Sequence, residues 1–146
     1  MNIKNLFTFS FLLALLVSCS NEPRPIAYGE DLCHHCKMML MDPKYGAEVV
    51  TEKGKIFIFD DANCLISFLE DPQTNSSSIK DILVVDYQNP GILLDASTSF
   101  YLKSEEFRTP MNSQVIAFSH YDSLKNFKKN TGGVYLAWGE LVTQFK

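Results

Sequence analysis

A shift of 59 residues lays one half of this chain on the other. It places Ile56-Phe57 on Val115-Ile116, Phe59 on Phe118, Leu65 on Leu124 and Phe68 on Phe127. The first three pairs fall in short β-branched and aromatic runs, and the last two at helical spacing. One offset that aligns both kinds of segment marks an internal repeat, so the fold must build one supersecondary unit twice.

The first unit is legible locally. Ala47–Thr51 and Ile56–Phe59 are strand-forming runs, joined by the hairpin loop Glu52-Lys-Gly-Lys55 with its glycine. Asp60 or Asp61 is expected to cap a helix over 62–69, where Leu65, Phe68 and Leu69 share a face, and Asp71-Pro72 stops it. A polar loop at 73–78 leads to a third strand at 82–87, closed by Asn89-Pro-Gly91. The second unit repeats the order with strands at 98–103 and 115–118 and an amphipathic helix at 120–129. Asn130-Thr-Gly-Gly133 ends that helix, a strand follows at 134–138, and 139–145 reads as a terminal helical turn or two. The expected class is α+β, with two similar ββαβ halves spanning 28–91 and 92–146.

The opening residues belong to targeting. Lys4 gives a short positive start, and 6–17 is an apolar run too short to span a bilayer comfortably. Leu16-Val17-Ser18-Cys19 has the form of a bacterial lipobox, so 1–18 is expected to be a lipoprotein signal and Cys19 the site of lipid attachment. Residues 19–27, with Pro23 and Pro25, then form a tether between the membrane and the fold. The expected location is the bacterial cell envelope, lipid-anchored and facing the periplasm. Three thiols remain in that oxidising space, Cys33, Cys36 and Cys64, and an odd number cannot all pair within one chain. A formal charge of −4 without any Lys/Arg run argues against nucleic acid as a partner.

The chemistry is concentrated in Cys33-His-His-Cys-Lys-Met-Met-Leu-Met41, which holds two cysteines, two histidines and three methionines. Thiolates and thioethers are soft donors that select Cu(I), with zinc as competitor, and thioethers tilt the choice to copper. In an extended segment Cys36 and Met38 point to one face, which gives a thiolate and a thioether together. Met39 and Met41 point to the other face and read as core filler. Met111, in the turn Thr109-Pro-Met-Asn112, can add a thioether from the second half if the halves face each other. Cys64 reads as a buried, inert thiol of the first helix, Asp60 and Asp61 as caps, and His120 as the start of the second helix without chemistry. Two other readings use the same cysteines. Cys33 and Cys36 have the spacing of a thiol-disulfide oxidoreductase, although no strand precedes them. Cys33, Cys36 and Cys64 with His34 or His35 fit a structural zinc clip on an interaction module.

Taken together, the chain resembles the NosL family, the nitrous oxide reductase accessory proteins, which are copper-binding lipoproteins. The resemblance rests on the lipobox at Cys19, Cys36-x-Met38 within Cys33-x-x-Cys-x-Met, Pro110-Met111 before Ala117-Phe118, and Gly132-Gly-Val-Tyr-Leu-Ala-Trp-Gly-Glu-Leu141. It covers about 28–141. Familiar members often carry glycine between the cysteine and the methionine, where this chain has Lys37. The resemblance implies two ββαβ halves similar to those of organomercurial lyase, and a non-enzymatic Cu(I) chaperone. It implies Cys36, Met38 and Met111 as copper ligands. Not every member has a cysteine equivalent to Cys33, which is expected to be a fourth donor or an exchange ligand. The implied recipients are nitrous oxide reductase or its copper-loading ABC transporter-type assembly complex.

Overall fold

A computed structural model of the protein describes residues 21–145. The expected signal, 1–18, and Cys19 lie outside the described residues.

The order β-β-α-β occurs twice. In the first half β1 (Ala47–Thr51) pairs antiparallel with β2 (Ile56–Phe59), α1 (Ala62–Glu70) follows, and β3 (Ile79–Val85) returns beside β1. In the second, β5 (Phe100–Lys103) pairs with β6 (Val115–Phe118), α2 (Tyr121–Thr131) follows, and β7 (Val134–Leu136) returns beside β5. Each half therefore keeps its opening strand in the middle. The two antiparallel sheets are ordered β2-β1-β3-β4 and β6-β5-β7. β2 and β6 lie 59 residues apart, as do the starts of α1 and α2, which is the offset of the repeat.

Several elements depart from the sequence reading. β3 starts at Ile79 rather than at 82, because a bulge between Val50 and Thr51 lets Thr51 pair with Ile79. A fourth strand, β4 (Leu93–Asp95), extends the first sheet after the turn at Asn89-Pro-Gly91. β7 ends at Leu136 because α3 (Trp138–Gln144) begins two residues later, its first turn held by Glu140, which accepts the Ala137 N–H at 2.8 Å.

One core joins the halves. Phe59, Leu65, Ile66 and Val85 of the first half pack in the same buried cluster as Tyr101, Val115, Leu136 and Leu141 of the second. Each large side chain buried there contributes about 2 kcal/mol, so separating the halves would expose several such terms at once. The sheets also touch through backbone. Asp86 bridges to Ala117, and the Tyr87 N–H donates to the Ala117 carbonyl at 2.9 Å.

Candidate metal centre

The soft-ligand stretch is not extended. Leu32 pairs with Met39, the Leu40 N–H donates to Asp31 O at 3.0 Å, and the Gly29 N–H donates to Leu40 O at 2.8 Å. At the tip the Cys33 N–H reaches Met38 O at 2.8 Å, and the Lys37 N–H reaches Cys33 O at 3.0 Å. That closure requires Lys37 to take a left-handed backbone with φ 66°. Cys36 and Met38 thus flank a tight turn and do not alternate along a strand.

Two anchors fix the loop. Asp31 accepts both terminal nitrogens of Arg24, at 2.7 and 2.8 Å, and the Ala27 N–H at 2.7 Å. These bonds hold the Asp31 carboxyl below its usual range, the Arg24 guanidinium foremost. On the other side the His34 N–H donates to Ile58 O of β2 at 2.7 Å. The His34 ring stands edge-on to Phe57, with centroids 4.6 Å apart. His34 therefore works as a peg in an aromatic wall. His35 is exposed, and neither histidine joins the metal-ligand group described next.

Pinning the loop to β2 sets it against the start of α1. One donor atom from each of Cys33, Cys36, Asp60 and Cys64 then lies within 4.8 Å of the others. Asp60 lies just before the cap residue of α1, and Cys64 lies in the helix's first turn. Cys33 and Cys64 are each 1 % exposed, Asp60 is 3 % exposed and Cys36 is half-buried. All three thiols are free. The Cys64 thiol donates to Cys33, and backbone N–H groups of Cys36 and Asp60 reinforce it, so Cys33 is pulled down to about 6. Cys64 is pushed up by the same hydrogen bond, and Cys36 is raised chiefly by burial. The Cys36 thiol donates to Asp60 Oδ2 at 3.5 Å, while Asp60 Oδ1 is buried with no hydrogen-bond partner. An oxygen in that condition costs about 1–3 kcal/mol, which a bound cation would relieve.

Asp61 corrects the capping expectation. It occupies the cap position of α1, yet its side chain makes no cap hydrogen bond. Its Oδ2 instead accepts from Thr109 Oγ1 at 2.8 Å, the Met111 N–H at 2.7 Å and the Ser113 N–H at 3.2 Å. Asn63 adds a bond from its amide to Met111 O at 2.8 Å. The loop between β5 and β6 is thereby fastened to α1 next to Asp60. Met38 and Pro110 line one cavity with Asp60, so the second-half loop and the Cys/Met loop flank the cluster.

The NosL family profile matches residues 26–145. The chain belongs to the NosL family. A crystal structure described as that of the copper chaperone NosL from Shewanella denitrificans aligns with a TM-score of 0.70 at 20% identity, covering 83% of this chain and 96% of that one. At this identity the likeness is one of fold. Comparison with curated protein sequences finds no match.

Within this NosL fold the residues singled out from sequence fall into three groups. Cys33 and Cys36 lie in the cluster. Met38 is 45% exposed and lines a cavity with Asp60. Asp61 holds the Met111 backbone, and the Met111 side chain packs against the core cluster that contains Cys33 and Cys64. Cys64 is buried as expected but is not isolated, because its thiol meets Cys33. Sequence reasoning missed Asp60. No helical spacing signalled it, because Asp60 precedes the cap of α1 and meets the thiols only through the packing of the loop.

Proposed function

We propose that the protein is a Cu(I) chaperone of the cell envelope with no catalysis of its own. The observation that carries this reading is the convergence of three thiols and the Asp60 carboxyl, one oxygen of which is buried without a partner. Sulfur donors prefer a soft monovalent ion, and Asp60 adds negative charge nearby. Cys33, Cys36 and Cys64 hold the ion, while Met38 and Met111 supply thioethers from the accessible side. Release is by ligand exchange: a recipient's donor adds to the low-coordinate ion before the half-buried Cys36 lets go. The name of the Shewanella denitrificans relative and the family's link to nitrous oxide reductase support copper as cargo. The recipient on this reading is nitrous oxide reductase or its transporter-type assembly complex, and Cys19 carries the lipid anchor.

Zinc is the second reading, because three sulfurs and one carboxyl oxygen match its tetrahedral donor count. The histidines of the expected zinc clip are replaced in that version by Asp60. Elemental analysis of protein purified under reducing conditions, followed by Cu(I) titration against a competing chelator, separates the two. Copper is expected at one ion per chain, with weaker binding in Cys33→Ser, Cys36→Ser, Cys64→Ser, Met38→Leu and Met111→Leu. Unchanged affinity in all five, or zinc alone at one equivalent, would overturn the proposal. The oxidoreductase reading lacks support, since Cys33 and Cys36 sit on a loop and do not open a helix.

A further inference from the structure

Met39 and Met41 do not fill the core. They are 46% and 70% exposed, beside Met38 at 45%, whereas Leu40 between them is 2% exposed. Leu40 anchors the segment and turns its neighbours outwards, so the exposed thioethers stand on a fixed backbone. Together with Tyr45, Pro110 and Asp60, the three methionines line a cavity of about 240 Å³. Of the Asp60 carboxyl, Oδ2 accepts from the Cys36 thiol and Oδ1 is buried without a partner. Three thioethers therefore share a cavity with the carboxyl that joins the thiol cluster.

We propose that Met39 and Met41 form a surface site that captures Cu(I) and passes it inward along this cavity. The proposal rests on the Cu(I) reading above and adds the route of entry. Thioethers are soft and neutral, so they take Cu(I) without losing a proton and hold it more weakly than thiolate does. In the transfer step the bonds from copper to the Met39 and Met41 sulfurs break as bonds to the Met38 and Cys36 sulfurs form. Copper stays monovalent throughout, no electron moves, and the Cys36 thiol proton leaves to solvent. The ion travels towards the Asp60 carboxyl, which gives the path its direction. An apolar docking face for a protein partner would need the same exposed area but not the sulfur. Leucine keeps the area and removes the sulfur.

The test compares the full-length protein with its Met39→Leu/Met41→Leu variant, using the bicinchoninate complex of Cu(I) as donor so that no protein partner takes part. Stopped-flow absorbance gives the rate of capture, and the end point gives the affinity. Capture is expected to slow by about tenfold while the affinity changes by less than about twofold. Capture within about twofold of wild type would overturn the transfer site, and so would a parallel loss of affinity, which would make these methionines holding ligands. Failure of the wild type itself to draw Cu(I) from the chelate would overturn both readings, and is distinct from either variant result.

Discussion

The carboxyl group of Asp61 accepts the backbone N–H of Met111 across 50 positions of sequence, at 2.7 Å. The same oxygen takes Thr109 and Ser113, so one buried side chain binds the second half's loop to the first half's helix. Asp61→Ala leaves the Met111 and Ser113 N–H groups without that partner, while the Thr109 hydroxyl keeps Ser113 Oγ. The substitution is expected to lower the unfolding free energy by about 3 kcal/mol in urea denaturation of the metal-free protein. Loss of the clamp should also remove the contribution of Met111 to Cu(I) binding, so adding Met111→Leu to Asp61→Ala should weaken the affinity no further.

Its neighbour should behave in the opposite way. Asp60 gives the metal-free fold one weak thiol contact and leaves its other oxygen unpartnered. Asp60→Asn is expected to change metal-free stability by less than about 1 kcal/mol. The same variant should weaken Cu(I) binding by about tenfold in chelator competition. A large stability loss with intact affinity would reverse the roles assigned to the two aspartates.

Lys37 holds a left-handed conformation at the turn between Cys36 and Met38. Glycine, which the family often carries there, takes that conformation without strain. Lys37→Gly is expected to raise stability by about 0.5–1 kcal/mol, because relief of strain exceeds the entropy gained by the unfolded chain. Lys37→Val, β-branched at a positive φ, should lower it by about 2 kcal/mol. Thermal melts of the metal-free protein check both.

Glu48 on β1 is fully buried, with Oε1 accepting the Arg24 N–H at 3.1 Å and Oε2 unpartnered. Burial raises its pKa above the ordinary carboxyl value, against a smaller pull from the Arg24 N–H. The folded state therefore holds this proton more tightly than the unfolded chain does. That preference contributes stability in full below the ordinary carboxyl value and is lost as pH rises through the raised one. Glu48→Gln removes the dependence. Urea midpoints of wild type and variant should draw apart in the variant's favour as pH is raised from acid to neutral.

Local chemistry made much of the fold legible. Ala47–Thr51, Ile56–Phe59 and Val115–Phe118 are strands because their own β-branched and aromatic residues favour them, and a hairpin loop of four residues fixes the first pairing. β4 was missed because Leu93–Asp95 is three residues long and becomes a strand only by pairing with β3. Met39 and Met41 were misread because two-residue alternation does not say which face is covered, and Leu40 took the inward place.

By itself the sequence determined the repeat, the sulfur-rich loop and the C-x-x-C pair, since each depends on residues close enough to act through backbone propensity or short spacing. Only the tertiary structure decided that Cys64 and Asp60 join Cys33 and Cys36, and that Asp61 holds Met111. Those contacts depend on where the His34 N–H meets Ile58 and on how the β5–β6 loop lies across α1. Register and packing of distant segments fix such positions, and no local pattern encodes the separation between a thiol at 33 and a carboxyl at 60.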